Sequence, residues 1–161
     1  MRQTLLPALC LALLLPLSAG AQTVAFGGIK ADTKAPVEVS ADALSVDQAS
    51  GAATFSGNVV IGQGAMRLGA NSVRVEYGAG GTSKIDRLHA TGKVTLVSGP
   101  DAAEADEAVY EVTTGIVTLT GNVMLTQSGN VLSGNAMTVN LATGAATVEG
   151  RVRSVLQPGG K

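Results

Sequence analysis

Residues 54–64 read Thr-Phe-Ser-Gly-Asn-Val-Val-Ile-Gly-Gln-Gly, and apolar and polar side chains alternate on both sides of Gly57. Alternation with a period of two is typical of a β-strand that buries one face. The positions two and four residues from Gly57 are all apolar and share its parity: Ala53, Phe55, Val59 and Ile61. The pattern predicts one strand that buries these side chains and that has a bend, or a close backbone approach, at the central glycine.

The same unit occurs four times along the chain. Each copy begins with a small residue followed by Asp or Asn, continues through a turn glycine nine residues later, and ends with a Gly-x-Val triplet. The Asp or Asn positions are Asp42, Asn71, Asp106 and Asn135. Their period is 29 residues, from 42 to 71 and again from 106 to 135, while the second copy is longer. Such a period indicates stacked supersecondary units that share one core, and not a compact enzyme domain.

The other strand of each unit also carries apolar residues at alternate positions, among them Leu44 in the first copy and Met137 in the fourth. Just before each Asp or Asn the parity changes, as between Leu68 and Val73, which are five residues apart. An odd step would turn the apolar face outward unless a bulge or a corner intervenes. We therefore predict a corner at each Asp or Asn, a residue type that tolerates unusual backbone conformations.

An all-β architecture follows from these patterns. No segment after Pro36 has a convincing helical period, so we expect consecutive antiparallel hairpins that wrap one aliphatic interior between two sheet faces. Because successive strands are neighbours, the assembly is expected to be open at both ends. Residues 37–39 would form one edge, and the strand over residues 148–155 would form the other.

The N-terminal residues have the pattern of a secretory signal peptide. Arg2 supplies a positive charge, residues 5–17 are mainly apolar, and residues 19–21, Ala-Gly-Ala, fit the small-x-small cleavage site. The apolar run is too short to span a bilayer. We predict a signal peptide over residues 1–21. The only cysteine, Cys10, lies within it, so the mature chain would fold without disulfides.

The rest of the chain divides into three segments. Residues 22–36 lack periodicity and are predicted to be a flexible leader, residues 37–157 form the β domain, and residues 158–161 are a tail. Beyond residue 21 the chain has ten Lys and Arg against twelve Asp and Glu, a formal charge of −2. No basic patch stands out, so nucleic acid is a poor candidate partner.

Residues suited to catalysis or metal binding are scarce. His89 is the only histidine, and its place on the outward parity of a strand favours a solvated residue. The sequence shows no convergent Cys, His or carboxylate ligands for a metal site. The acidic run over residues 101–111 is interpreted as a charged loop and a solvated strand face. The sequence therefore predicts neither an enzyme nor a bound cofactor.

Several stretches together resemble the OstA-like family. Residues 36–42, Pro-Val-Glu-Val-Ser-Ala-Asp, precede the Phe-x-Gly-Asn-Val and Gln-Gly motifs of residues 54–64, and residues 70–75, Ala-Asn-Ser-Val-Arg-Val, follow them. A second Gly-Asn-Val occurs at residues 121–123. The resemblance covers about residues 36–156. It implies an open antiparallel β-jelly roll built from sequential hairpin repeats.

The resemblance also implies a function in the periplasm. The interior of the roll would hold the acyl chains of lipopolysaccharide, and copies of the protein would join head to tail. The further partners would be inner-membrane-anchored and outer-membrane transport components with OstA-like domains, so that the assembly bridges the two membranes. The inward positions expected to bind lipid are Val37, Val39, Leu44, Phe55, Val59, Ile61, Met66, Leu68, Val73, Val75, Leu119, Val123, Leu125 and Met137.

Two other interpretations stay open at the level of the sequence. The same inward side chains would pack on each other in a purely structural or adhesive β-repeat domain, and the repeat pattern does not separate that domain from a lipid carrier. A membrane-anchored relative of the same pathway would need an uncleaved N-terminal span, which the short apolar run argues against. A lipid carrier has a clear driving force, because each acyl CH₂ buried in an aliphatic interior is worth about 0.8 kcal/mol.

Overall fold

The computed structural model describes residues 23–24, 28–79 and 84–157. The predicted signal peptide over residues 1–21 and the predicted tail over residues 158–161 lie outside the described residues. The regular structure of the described part is β-strand, and no helix there is long and apolar enough to cross a membrane. The strands are β1 (Thr23–Val24), β2 (Glu38–Ser40), β3 (Ala43–Val46), β4 (Ala53–Gln63), β5 (Met66–Tyr77), β6 (Ile85–Ser98), β7 (Asp101–Glu111), β8 (Ile116–Gln127), β9 (Asn130–Asn140), β10 (Ala146–Glu149) and β11 (Arg153–Val155).

From β3 to β10, strands that follow each other in sequence pair side by side in one antiparallel sheet. The order across the sheet is β1-β10-β9-β8-β7-β6-β5-β4-β2, and in addition β3 pairs with β4 and β11 pairs with β9. The strands β2 and β3 are therefore two parts of one bent first strand, and β10 and β11 are two parts of one bent last strand. This arrangement confirms the predicted open antiparallel jelly roll of sequential hairpins.

Each repeat bends at its Gly-x-Val triplet. The first two residues of the triplet both have left-handed backbone angles, with φ of 78° at Gly57 and 45° at Asn58 in the first copy. The register between β4 and β5 shifts between Ser56 and Val59, as expected for a β-bulge. The predicted corners are therefore present, and the residues with left-handed backbone angles there are the glycine and its neighbour, not the Asp or Asn.

The Asp or Asn of each repeat instead packs against the corner glycine. A Cβ atom at Gly121 would lie 2.5 Å from Asp106 Oδ2 and 2.9 Å from Asp106 Cβ, so the close approach requires glycine. Asp106 Oδ2 also accepts a hydrogen bond of 2.7 Å from Asn122 Nδ2. The corners form a row along one side of the roll, which we call the corner row: Gly57, Gly92, Gly121 and Gly150, each with the residue that follows it.

The bends fold the long strands into two halves whose inner faces oppose each other. The inward side chains of both halves form one hydrophobic cluster. Ile61, Leu68 and Leu125 belong to one half and Val73 and Leu119 to the other, and each is at most 4% exposed. The β4–β5, β6–β7 and β8–β9 turns form the first rim of the roll, and the β3–β4, β7–β8 and β9–β10 turns form the second rim. We call the gap between the two rims the mouth, and it lies opposite the corner row.

Residues 28–36, which we call the strap, lie along the mouth and contact both rims. At the first rim, Ser98 Oγ donates a hydrogen bond of 2.6 Å to Lys30 O. At the second rim, Leu141 O accepts a hydrogen bond of 3.1 Å from Ala31 N. The strap therefore joins the two rims across the mouth before the chain enters β2.

The strap forms most of the leader that the sequence predicts over residues 22–36, of which residues 22 and 25–27 lie outside the described part. The flexibility of the leader stays a prediction. From Ile29 onward the odd-numbered residues of the strap are buried or half-buried and its even-numbered residues are exposed, in phase with Val37 and Val39. Three of the inward residues are Ala or Thr, so a search for large apolar side chains does not detect this alternation. Within the strap, Ile29 is the one large apolar side chain.

Candidate functional site

Thirteen of the fourteen positions predicted to bind lipid belong to one hydrophobic cluster or pack against it. Three of them, Val37, Val39 and Phe55, are half-buried against the hydrophobic cluster. Leu44 is 57% exposed at the end of the roll formed by β3. The others are buried: Val59, Ile61, Met66, Leu68, Val73, Val75, Leu119, Val123, Leu125 and Met137. The structure thus brings thirteen of the predicted positions together and leaves Leu44 outside the hydrophobic cluster, because β3 pairs only with β4 and no described strand covers its other edge. Contact of these side chains with lipid stays a prediction.

The interior also contains inward residues that the predicted set omits. Leu88, Leu96 and Val117 are each at most 1% exposed. Leu88 and Leu96 lie four residues before and after Gly92, and Val117 lies four residues before Gly121. The parity rule that identifies the predicted positions therefore applies equally to these three.

The protein's own side chains leave little free space in the part of the interior that surrounds Ile29. The cavity beside Ile29, which is lined by Leu125, Met137, Val139 and Ala146, has a volume of about 10 Å³. One water molecule requires roughly 10–15 Å³ by this measure. An acyl chain can therefore enter this region only if the two halves separate or if a side chain leaves.

A polar pair crosses the interior at the mouth. Gln63 is 1% exposed, and its Nε2 donates to Thr33 O at 3.3 Å and to Ala35 O at 3.1 Å. Its Oε1 accepts a hydrogen bond of 2.6 Å from the buried Tyr110 OH. Burial raises the pKa of the Tyr110 phenol above its ordinary value, so the phenol keeps its proton and remains a donor at neutral pH. The pair connects the first rim, the opposite half of the roll and the strap.

The sequence prediction omits Gln63 because a Gln-Gly pair is also typical of a turn. Gln63 nevertheless shares the parity of Val59 and Ile61 on β4. This parity is the signal that identifies it as inward. A buried amide at the end of an aliphatic strand face then requires hydrogen-bond partners, which the strap carbonyls and Tyr110 supply.

The acidic run is only partly solvated, in contrast to its interpretation from the sequence. Glu104, Asp106 and Glu107 are exposed, but Asp101, at the start of β7, is 4% exposed. Asp101 Oδ2 accepts a hydrogen bond of 2.8 Å from Gln127 Nε2, and its Oδ1 has no hydrogen-bond partner in the described part of the chain. Both residues lie at the first rim.

Charged side chains pair with each other on the outer face of the roll. Arg87 lies 3.6 Å from Glu76 and 2.6 Å from Glu111, and the hydrogen bond to Glu111 raises the pKa of Arg87 above its ordinary value. His89 Nε2 lies 3.5 Å from Glu107 Oε2 on this partly exposed face. Across residues 23–24, 28–79 and 84–157, no group of three or more His, Cys, Asp or Glu side chains could hold a metal ion.

The two ends of the roll expose apolar side chains beside strand edges. At the first end, Leu44 and Val46 of β3 are each 57% exposed. At the last end, Val155 of β11 and the adjacent Leu156 are 63% and 64% exposed. The outer edges of β2, β3 and β11 pair with no other described strand, whereas β1 covers the first two residues of β10.

Comparison with known proteins gives consistent sequence matches. The family described as LptA/(LptD N-terminal domain) LPS transport protein matches residues 38–145. The chain is 32% identical over 141 residues to an uncharacterized protein of Rhizobium meliloti, and the match covers 81% of this chain and 76% of the relative. It is 29% identical over 136 residues to the lipopolysaccharide export system protein LptA of Escherichia coli K12, and the match covers 81% of this chain and 73% of that protein.

A solved structure has the same fold. The crystal structure of LptH, the LptA homologous periplasmic component of the conserved lipopolysaccharide transport device from Pseudomonas aeruginosa, matches with a TM-score of 0.70 and 23% identity. The match covers 80% of this chain and 99% of that chain. The family match extends from the first residue of β2 to the residue before β10, and so includes most of the interior. The chain therefore belongs to the LptA/LptD N-terminal domain family of lipopolysaccharide transport proteins.

Proposed function

We propose that this chain is a periplasmic lipopolysaccharide transport protein. Its interior shields acyl chains from water, and its two ends pair head to tail with further copies and with membrane-bound partners that carry related domains. Family membership and the similarity to LptA and to the periplasmic LptH support the transport role and the compartment. The observation that carries the proposal is one continuous aliphatic interior between two open ends.

The interior suits acyl chains because it is apolar from one end to the other. Its buried residues are almost all aliphatic, from Ile61 on β4 to Leu132 on β9. The buried polar side chains of Gln63 and Asp101 lie at the first rim, and the Tyr110 hydroxyl bonds to Gln63 at the mouth. The remaining buried side chains on the described inner faces are apolar. Each acyl CH₂ that moves from water into such an interior gains about 0.8 kcal/mol. No reacting group is needed for this role, which agrees with the lack of catalytic patterns in the sequence.

The small free volume beside Ile29 favours a second candidate, a structural β-repeat domain that binds no lipid. The two candidates share the fold and differ in whether glycolipid is bound, so lipid extracted from protein purified without detergent separates them. Mass spectrometry should detect lipopolysaccharide with the native protein and with Thr54→Asn, and several-fold less with Phe55→Asn. Phe55 faces the interior near the open end, and Thr54 is its outward neighbour. Native protein free of glycolipid would support the structural candidate.

The periplasmic location has a separate test. Protein recovered from a periplasmic fraction should begin near Gln22, because the cleavage site is predicted after Ala21. Mass spectrometry of the intact protein measures this directly. A chain that retains Met1 and stays with the membrane fraction would contradict the proposal and would favour the membrane-anchored relative.

The edges of the sheet support head-to-tail pairing. A strand edge without a partner presents N–H and C=O groups that a strand from another molecule can satisfy. A contact of the first edge with the last edge is heterologous, so it generates open filaments. Glu38 on β2 and Arg153 on β11 are both exposed, and their opposite charges favour this pairing over contacts between like edges.

Two proline variants test the pairing. In an antiparallel edge strand, adjacent N–H groups point alternately inward and outward, so one of Glu38→Pro and Val39→Pro removes an outward donor. That variant should keep a folded circular dichroism spectrum and lose oligomers, while the native protein should form larger species as its concentration rises. Light scattering over a dilution series measures the effect. A native protein that stays monomeric at high concentration, and binds no related domain, would contradict head-to-tail pairing.

A further inference from the structure

The strap follows the mouth from the last strands towards the first. Ala31 bonds to Leu141 at the β9–β10 turn. Thr33 packs on Gly115 at the β7–β8 turn, where a Cβ atom would lie 3.1 Å from Thr33 Cγ2. The strap then passes the β4–β5 turn and continues into β2. The strap therefore contacts turns of both rims on the side of the roll opposite the corner row, and it belongs to neither half.

Several of the contacts that hold the strap are hydrogen bonds to its backbone. Gln63 Nε2 donates to the carbonyls of Thr33 and Ala35, and Ser98 Oγ donates to Lys30 O. Each of these donors lies at the rim, where water reaches it once the strap lifts. A hydrogen bond that water can replace contributes little net stability. The strap can therefore separate from the rims without disturbing the strand pairing of the roll.

Ile29 is the strap residue whose large apolar side chain is buried in the interior. It is 2% exposed and shares a cavity of about 10 Å³ with Leu125, Met137 and Val139. Leu125 and Met137 belong to the set predicted to bind lipid. The Ile29 side chain thus fills space between the two halves that an acyl chain would need.

The geometry points to a gate. We propose that Ile29 occupies an acyl-chain position in the lipid-free protein, and that the strap lifts from the mouth when lipid enters. The proposal rests on the proposed lipid-transport function and identifies the segment that regulates access to that interior. The small inward residues Ala31 and Thr33 let the strap detach with little apolar surface exposed, while Ile29 is the part that lipid replaces.

A disulfide can lock the gate reversibly. A Cβ atom at Gly115 would lie 4.0 Å from Thr33 Cβ, which is within the range of about 3.5–4.5 Å found in disulfides. The double variant Thr33→Cys/Gly115→Cys has no other thiol beyond the predicted signal peptide, because Cys10 lies within it. Its reduced and oxidised forms share any strain from replacing Gly115, whose φ is 69°. They differ only in whether the strap can lift.

Binding is measured by titration with the fluorescent fatty acid cis-parinaric acid and, separately, with purified lipopolysaccharide. The oxidised double variant should bind about tenfold more weakly than its reduced form, since only the open state is competent to bind. Ile29→Ser should bind more tightly than the native protein. Lys34→Ser, at an exposed strap position, should bind like the native protein. Circular dichroism and thermal melting confirm that each variant is folded.

The outcomes separate the gate from the function on which it rests. Equal affinity of the oxidised and reduced forms, with normal binding by the native protein, would overturn the gate and leave lipid binding intact. Absence of binding by every variant, Ile29→Ser included, would overturn both. Amide exchange gives an independent readout, because the Ala31 N–H that bonds to Leu141 O should lose protection when fatty acid binds. Continued protection in the bound protein would also overturn the gate.

Discussion

The corner row and the mouth close opposite sides of the same roll by different means. At the corner row, one device recurs four times, a glycine with a left-handed neighbour packed against Asp or Asn. At the mouth, a single strap is held by rim hydrogen bonds and by Ile29. Water cannot replace a bend that depends on the backbone conformation of glycine. Water can replace the hydrogen bonds that hold the strap. The roll therefore has one permanent side and one side that can open.

Breaking a corner should cost more stability than removing the polar pair or the Ile29 side chain at the mouth. Gly121→Ala places a Cβ 2.5 Å from Asp106 Oδ2 at a residue with φ of 78°. Left-handed backbone in a non-glycine residue costs about 1–2 kcal/mol, and the displaced Asp106 adds to this. We expect the free energy of unfolding to fall by about 3 kcal/mol, measured by chemical denaturation.

Gly51→Ala is the matched control for the corner. Gly51 has φ of 70°, and a Cβ there would meet no atom within 4 Å. Its substitution should therefore cost only the backbone strain, about 1 kcal/mol. If the two variants lose equal stability, the contact between Asp106 and the glycine does not stabilise the corner.

A smaller loss is expected from the polar pair at the mouth. Gln63→Leu leaves the buried Tyr110 OH and two strap carbonyls without their partner, which should cost about 2 kcal/mol. Tyr110→Phe removes the hydroxyl and should cost less. In a double-mutant cycle, the second substitution should have a smaller effect when the first is present. Additive losses would show that the hydrogen bond between Gln63 and Tyr110 contributes nothing to stability.

Among the corner, the polar pair and the strap, the strap should lose the least stability when its buried side chain is removed. Removal of a buried Ile or Leu side chain normally costs about 2–5 kcal/mol, and Leu119→Ala should fall in this range. Ile29→Ala should cost only about 1–2 kcal/mol, because the strap can detach while the roll stays folded. Hydrogen exchange should show faster exchange at Ala31 and no change at Ala90 in β6. If Ile29→Ala lowers the free energy of unfolding as much as Leu119→Ala does, the strap belongs to the permanent core.

The contrast between the corner row and the mouth also explains which parts of the fold the sequence could predict. The corner row repeats with a fixed period, so parity around Gly57 and its counterparts predicts the strands, the corners and the buried face. The strap occurs once, and its inward residues Ala31, Thr33 and Ala35 are too small to show an apolar pattern. Its packing depends on rims that come together only after the hairpins fold, and local periodicity carries no information about such contacts.

The candidate site likewise has one part that the sequence predicts from its repeating pattern and one part that it does not predict. The predicted lipid-binding positions are on the inner face because parity determines the face of a strand. Gln63 is not predicted as an inward residue because it lies at the end of a strand. At such a position the same residue types occur in turns and on the inner face. Parity cannot separate a side chain that binds lipid from one that only packs in the core, because both roles use the same aliphatic residues. That distinction needs a measurement on the lipid-loaded protein.

Site-specific photo-crosslinking in intact cells tests the central claim, that acyl chains lie within the roll. A photoreactive residue is placed at Phe55 and Leu119, which face the interior, and at Asn58 and Thr120, which are exposed. We expect crosslinks to lipopolysaccharide from Phe55 and Leu119 and none above background from Asn58 and Thr120, with all four proteins folded and exported. Equal labelling of the inward and outward positions, or labelling of the outward positions alone, would contradict lipid transport through the interior.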